Sequence, residues 1–124
     1  MTEISGKTIL IVDDSFINRQ LIMGFLIGYD VNIIEAENGN EALEILSHTK
    51  PDLILLDLVM PVMDGFDFLD VMRKRQIGIP VIVLTAYLRE TTYQRSMDLG
   101  VDGYLNKPYR MNELFNLMNK VFNH

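Results

Sequence analysis

Five short apolar runs punctuate the chain: Thr8–Val12, Asn32–Ala36, Leu53–Leu56, Val81–Leu84 and Gly103–Asn106. Three of them are nearly continuous Ile, Leu and Val, the pattern of strands buried on both faces of a parallel sheet. The last run is the most polar and suits a sheet edge. Segments of helical period lie between the runs. Ile17, Leu21, Phe25 and Gly28 recur on one helical face, which is expected to seek the core. Ala42, Leu43 and Leu46 do the same in the second segment, opened by Asn38-Gly39 as a cap. Phe68, Leu69 and Met72 mark the third, behind the turn signal Met63-Asp64-Gly65. The fourth, Arg89 to Leu99, is the least amphipathic, with Tyr93 and Met97 as its main apolar anchors. It is expected to be the least firmly packed. Leu114, Leu117, Met118 and Val121 mark the fifth.

Strands alternating with helices imply the α/β class, with right-handed crossovers and helices on both faces of a parallel sheet. With five such units the expected fold is a three-layer α/β/α sandwich. Its five-stranded parallel sheet takes the flavodoxin-like order 2-1-3-4-5. A length of 124 residues fits one domain, 1–124. The apolar share of 48% allows a sizeable core without staples. The final helical segment reaches the last residues, so the expectation is a domain without an attached effector.

Composition narrows the function. The absence of cysteine rules out a disulfide framework and a thiolate metal site. The eight methionines are most simply core filler. No apolar run approaches a membrane span, and the polar start, Met1 to Lys7, lacks a signal-peptide core. These features lead to the expectation of a cytoplasmic protein without membrane contact. A formal charge of −6 argues against direct nucleic-acid binding. The one basic cluster, Arg73-Lys74-Arg75, suits a helix end, where cations complement the macrodipole.

In a sheet of this kind functional residues collect beyond the carboxyl ends of the strands. The first strand ends in Asp13-Asp14-Ser15, the third runs into Asp57, the fourth into Thr85 and the fifth into Lys107-Pro108. Nearby carboxylates repel one another unless a cation compensates them, and carboxylate, carbonyl and water oxygens suit Mg²⁺. An Asp is also a favoured helix cap, which accounts for one of the first pair but not for the whole set. Lys107 as a point charge and Thr85 as a donor can hold phosphoryl oxygens. Pro108 makes the Lys107-Pro108 peptide bond a candidate for cis.

These residues carry a resemblance. Ile11-Val12-Asp13-Asp14-Ser15, then Leu55-Leu56-Asp57-Leu58-Val59-Met60-Pro61-Val62-Met63-Asp64-Gly65, then Leu84-Thr85-Ala86 and Lys107-Pro108, resemble the receiver domain of two-component response regulators. The likeness covers essentially the whole chain, in order and at the expected intervals. It implies that Asp57 is the phosphoacceptor. It also implies that Asp14, Asp57 and the Val59 carbonyl ligate Mg²⁺, with Mn²⁺ able to substitute and Asp13 acting through water. Thr85 and Lys107 become the phosphoryl-sensing pair, and Tyr104 the aromatic that swings inward with Thr85. A plain half-exposed strand aromatic is the competing reading of Tyr104.

The implied reaction is transfer from a phosphohistidine, on a histidine kinase or a histidine phosphotransfer protein, to Asp57. The chain would catalyse its own phosphorylation and a slow self-dephosphorylation without being a turnover enzyme. Val59 cannot orient water and Tyr87 is bulky enough to obstruct it, so the decay is expected to be slow; both could equally just cover the sheet end. Output passes to a downstream protein through the fourth helix, fifth strand and fifth helix, where Tyr93, Tyr104 and Arg110 are the candidates for exposure. Phe16 fits two readings equally: a contact for the phosphodonor, or core.

Other classes fit less well. A haloacid dehalogenase-type phosphatase needs an acid two residues after the nucleophile, where Val59 stands. A flavin carrier needs a hydroxyl-rich phosphate loop, and Asp13-Asp14 would repel the phosphate. An inert receiver-like module usually lacks a key residue, and none is missing. His48 and His124 show no spacing for catalysis or metal.

Overall fold

The structure, a computed structural model, describes residues 4–86 and 90–123. Its elements alternate along the chain: β1 (Lys7–Val12), α1 (Phe16–Leu26), β2 (Val31–Ala36), α2 (Gly39–Leu46), β3 (Leu53–Leu56), α3 (Gly65–Lys74), β4 (Val81–Thr85), α4 (Glu90–Asp98), β5 (Gly103–Asn106) and α5 (Met111–Phe122). All neighbouring strands are parallel, in the order β2-β1-β3-β4-β5. The polar run Gly103–Asn106 is an edge strand, as its composition implies.

Side-chain alternation along the strands divides the core in two. Leu10, Val12, Ile54, Leu56 and Val83 join Leu43 of α2 and Phe68, Leu69 and Met72 of α3. Ile9, Ile11, Leu53, Leu55, Ile82 and Leu84 join Ile22 and Leu26 of α1 and Leu114 and Met118 of α5. Register is set at the strand starts by two similar clamps. Asp52, just before β3, donates its N–H to the Thr8 carbonyl and accepts the Thr8 N–H on Oδ2. Asp102, just before β5, does the same with Val81. The strand ends therefore align, with Val12 beside Leu56 and Thr85 beside Asn106.

Two helices turn otherwise than their periodicity implies. In α1 the buried residues are Arg19, Ile22 and Leu26, whereas Ile17 is 70% and Leu21 57% exposed. Phe25 is half-buried and Gly28, past the helix end, is exposed. The helix is apolar on both sides, so spacing alone selects no face. In α4 Tyr93 and Met97 point outward and Thr92 and Ser96 point inward. The Ser96 hydroxyl donates to the Thr92 carbonyl at 2.9 Å, which allows a small polar face to be buried without an orphaned group. Arg95 covers the Phe66 ring, 4.0 Å from its centroid, and ties α4 to α3. Arg89 lies outside the described residues. In α3, Arg73 and Lys74 occupy the last turn, and Arg73 also donates to the Asp98 carbonyl at the end of α4. No helix among the described residues is long and apolar enough to cross a membrane.

Candidate functional site

The aligned ends of β1, β3, β4 and β5 deliver Asp13-Asp14, Asp57, Thr85 and Lys107 to one edge of the sheet. Asp13, Asp14 and Asp57 each offer a carboxylate oxygen, and these oxygens all lie within 4.8 Å of one another. Lys107 Nζ stands 3.4 Å from Asp13 Oδ2 and 3.4 Å from Asp57 Oδ2. Asp13, Asp57 and Thr85 are buried, while Asp14 is exposed and opens the cluster to solvent.

Local structure fixes each group. Asp57 N–H donates to the Val12 carbonyl, and the Val59 N–H donates to Asp57 Oδ1 at 3.0 Å. Ser15, not either aspartate, caps α1, accepting the Asn18 N–H at 3.2 Å. Both acids are therefore free of the capping role that their position allowed. Asp13 Oδ1 instead accepts the Ser15 N–H at 2.8 Å. The Lys107-Pro108 bond is cis. Gly65, the first residue of α3, has no room for a side chain: a Cβ there would lie 2.6 Å from Leu58 Cα and 2.8 Å from the Asp57 carbonyl oxygen. Between them the chain makes a tight turn at Val62, whose φ is 70° and which is flanked by a Met63 N–H to Pro61 carbonyl bond of 2.8 Å.

Burial pushes the Asp57 carboxyl above its ordinary value. The Val59 N–H and Lys107 pull it back, and Asp13 raises it further. Tyr109, beside the cluster, is pushed up to about 12 by its burial and by the charges of Asp13 and Asp57. Asp13 and Asp57 thus share the Lys107 ammonium, and with Asp14 beside them the cluster carries an excess of negative charge among the described residues. An all-oxygen donor set of this kind fits a hard divalent cation.

Val59 lies on the rim, 45% exposed. Tyr104 is half-buried, and burial raises its phenol against a hydrogen bond with Asn106. Tyr93 meets it edge to face, with ring centroids 5.2 Å apart. Arg110 is exposed. Phe16 is 64% exposed, which removes the core reading. His48 is exposed and interacts with Thr49. Tyr87 and His124 lie outside the described residues. Arg19 went unnoticed in the sequence. Its signal was legible there, since it is the one charged residue of α1.

The fold and this arrangement define a class, and comparison with known proteins agrees. The chain belongs to the response regulator receiver domain family, whose model matches residues 9–119. Chemotaxis protein CheY of Halobacterium salinarum is 32% identical over 116 residues, covering 94% of this chain and 97% of that protein. The phosphate regulon transcriptional regulatory protein PhoB of Pseudomonas aeruginosa is 37% identical over 111 residues, covering 88% of this chain. The chain spans 48% of that regulator's length. Among solved structures, the receiver domain of the Francisella response regulator 1452 has a TM-score of 0.89 at 30% identity, over 95% of this chain and 98% of that one.

Proposed function

We propose that the chain, acting as one receiver domain over 1–124, is a phosphoacceptor switch in which Asp57 takes a phosphoryl group from a phosphohistidine. The observation that carries this reading is Lys107 Nζ, 3.4 Å from the carboxylates of both Asp13 and Asp57 at the mouth of the acidic cluster. A carboxylate oxygen of Asp57 attacks phosphorus, the P–N bond breaks, and the donor imidazole leaves with the electron pair. Lys107 faces the incoming group as a point charge, and the buried Thr85 hydroxyl is its hydrogen-bond donor. Little covalent work is asked of the protein, so catalysis is positioning and electrostatics.

Asp13, Asp14, Asp57 and the Val59 carbonyl are the residues that would hold Mg²⁺, or Mn²⁺ in its place. When bound, the ion supplies charge neutralisation between nucleophile and phosphoryl group. The acyl phosphate then draws Thr85 toward it and Tyr104 inward, a local charge event read by a bistable element. The surface of α4, β5 and α5, where Tyr93 and Arg110 are exposed, is the face offered to a downstream protein. The donor, a histidine kinase or phosphotransfer protein, meets the opposite rim, where Phe16, Ile17 and Leu21 stand exposed on α1. Partners of this kind support a cytoplasmic location for the switch. The −6 charge supports an output carried by protein contact rather than by nucleic acid.

The test is incubation with acetyl phosphate and Mg²⁺, read by intact mass. The expected result is a gain of one phosphoryl group, absent from Asp57→Asn. A wild-type chain left unmodified by both acetyl phosphate and a panel of phosphohistidine donors overturns the reading.

A further inference from the structure

Arg19 is 5% exposed, and its guanidinium is spread over two elements. Nη1 donates to the Asp13 carbonyl at 2.6 Å, while Nε donates to Glu35 Oε1 of β2 at 2.9 Å. Nη2 lies 3.8 Å from Glu37 Oε1, and the exposed Phe16 ring covers the group at 5.7 Å. The cation is therefore neutralised by carboxylates on the β2 side and not by those of the acidic cluster. What it gives the cluster is geometry. The Asp13 carbonyl belongs to the same rigid peptide unit as the Asp14 N–H, so holding one orients the other.

Every other polar group of Asp13 is also held. Its N–H donates to the Ala36 carbonyl at 3.1 Å, Oδ1 accepts the Ser15 N–H, and Oδ2 faces Lys107. Arg19 closes this set from below. A shorter side chain at position 19 could not reach β2 and the Asp13 carbonyl together. An uncompensated cation there would be drawn toward the site's own carboxylates and would compete with a bound ion.

We infer that Arg19, anchored by Glu35, is a positioning residue that fixes the Asp13–Asp14 peptide and thereby sets the divalent-cation affinity of the acidic cluster. The inference rests on the proposed cation reading of that cluster. Outer partners that orient ligands typically contribute about 10- to 100-fold in metal affinity.

The experiment uses the full chain with Mn²⁺ as probe, and pairs its affinity with amide hydrogen exchange in metal-free protein. Arg19→Gln is expected to speed exchange at the Ser15 amide, with no metal present, and to weaken Mn²⁺ binding by about tenfold or more. Arg19→Lys keeps the charge but lacks the reach to hold Glu35 and the Asp13 carbonyl together, so it is expected to weaken Mn²⁺ binding as well, which separates the strut from the charge alone. Leu26→Ala, a core truncation on the same helix, is expected to lower the thermal midpoint without changing Mn²⁺ affinity. Equal losses of affinity in Leu26→Ala and Arg19→Gln overturn the inference, because a general loosening of α1 would then explain them. So does a folded Arg19→Gln variant with wild-type exchange and affinity. If Arg19→Gln does not fold, Glu35→Gln takes its place, and unchanged affinity there is equally fatal. A wild-type chain that binds no Mn²⁺ overturns the cation reading itself, while Ser15 exchange reports on the strut separately.

Discussion

Lys107 Nζ lies 3.4 Å from Asp57 Oδ2, long for a tight ion pair and short enough for the charge to be felt. The ammonium is shared with Asp13 rather than committed to Asp57, so it can follow a phosphoryl oxygen without first breaking a strong bond. Lys107→Ala is therefore expected to slow phosphorylation from acetyl phosphate by about 100-fold, the scale of one lost charge-stabilising donor. Intact mass against time measures it. A rate within a few-fold of wild type would remove Lys107 from the reaction.

The raised Asp57 pKa makes a separate prediction for the metal-free protein. Burial, the largest cause, disfavours the ionised carboxyl in the fold, so the folded value lies above the ordinary 3.8. Between those two values the native state binds more protons than the unfolded state, and stability falls as pH rises. Above the folded value the penalty is complete. Asp57→Asn is thus expected to be more stable than wild type in denaturant at pH 7 without metal, and the gap should close as pH falls below 3.8. Saturating Mg²⁺ should stabilise wild type by about 2.7 kcal/mol at a hundred times its Kd, and should do so far less for Asp14→Asn.

Most of the fold was legible because three strands are nearly continuous Ile, Leu and Val, the pattern of a parallel sheet buried on both faces. The acids, Thr85 and Lys107 were legible because strand ends in such a sheet converge on one edge. Helix orientation was not. In α1 apolar residues occupy both faces, and the choice between them falls to Arg19, whose long-range partner Glu35 no local pattern identifies. In α4 the inward positions are Thr92 and Ser96, which a hydrophobic period cannot find. The crowding at Gly65 was equally hidden, since it depends on the β3–α3 loop folding back over Asp57.

The α1 orientation can be tested by stability alone. Ile22→Ala removes a buried side chain and is expected to cost about 2–5 kcal/mol. Leu21→Ala, at the 57% exposed neighbour, is expected to stay within about 0.5 kcal/mol of wild type. Urea midpoints give both. The reverse order would turn the Ile17–Leu21–Phe25 face to the core instead.

Gly65 couples packing to the site. A methyl group there meets backbone at Leu58 and Asp57, which cannot yield like the end of a flexible side chain. Gly65→Ala is expected to destabilise by about 1–3 kcal/mol, the usual cost of overpacking, and to slow phosphorylation as the Asp57 backbone shifts. Unchanged stability would mean that the β3–α3 loop is freer than this contact implies.

Signal lifetime turns on what stands around the acyl phosphate once formed. Val59, two residues past Asp57, is 45% exposed and offers solvent an apolar side chain. It can neither donate to nor accept from an attacking water, so hydrolysis there lacks an orienting group. Tyr87, two residues past Thr85 in sequence, is the second bulky residue of the prediction. The pair Val59→Asn with Tyr87→Glu supplies polar side chains at both places and is expected to shorten the phosphoryl lifetime by about tenfold or more, below the roughly 100-fold at which full general acid–base assistance begins. The check is decay of the phosphorylated mass after the donor is removed, with Mg²⁺ held constant. A lifetime equal to wild type would reduce both residues to covers over the sheet end, and would leave the decay rate to the carboxylates and Lys107 alone.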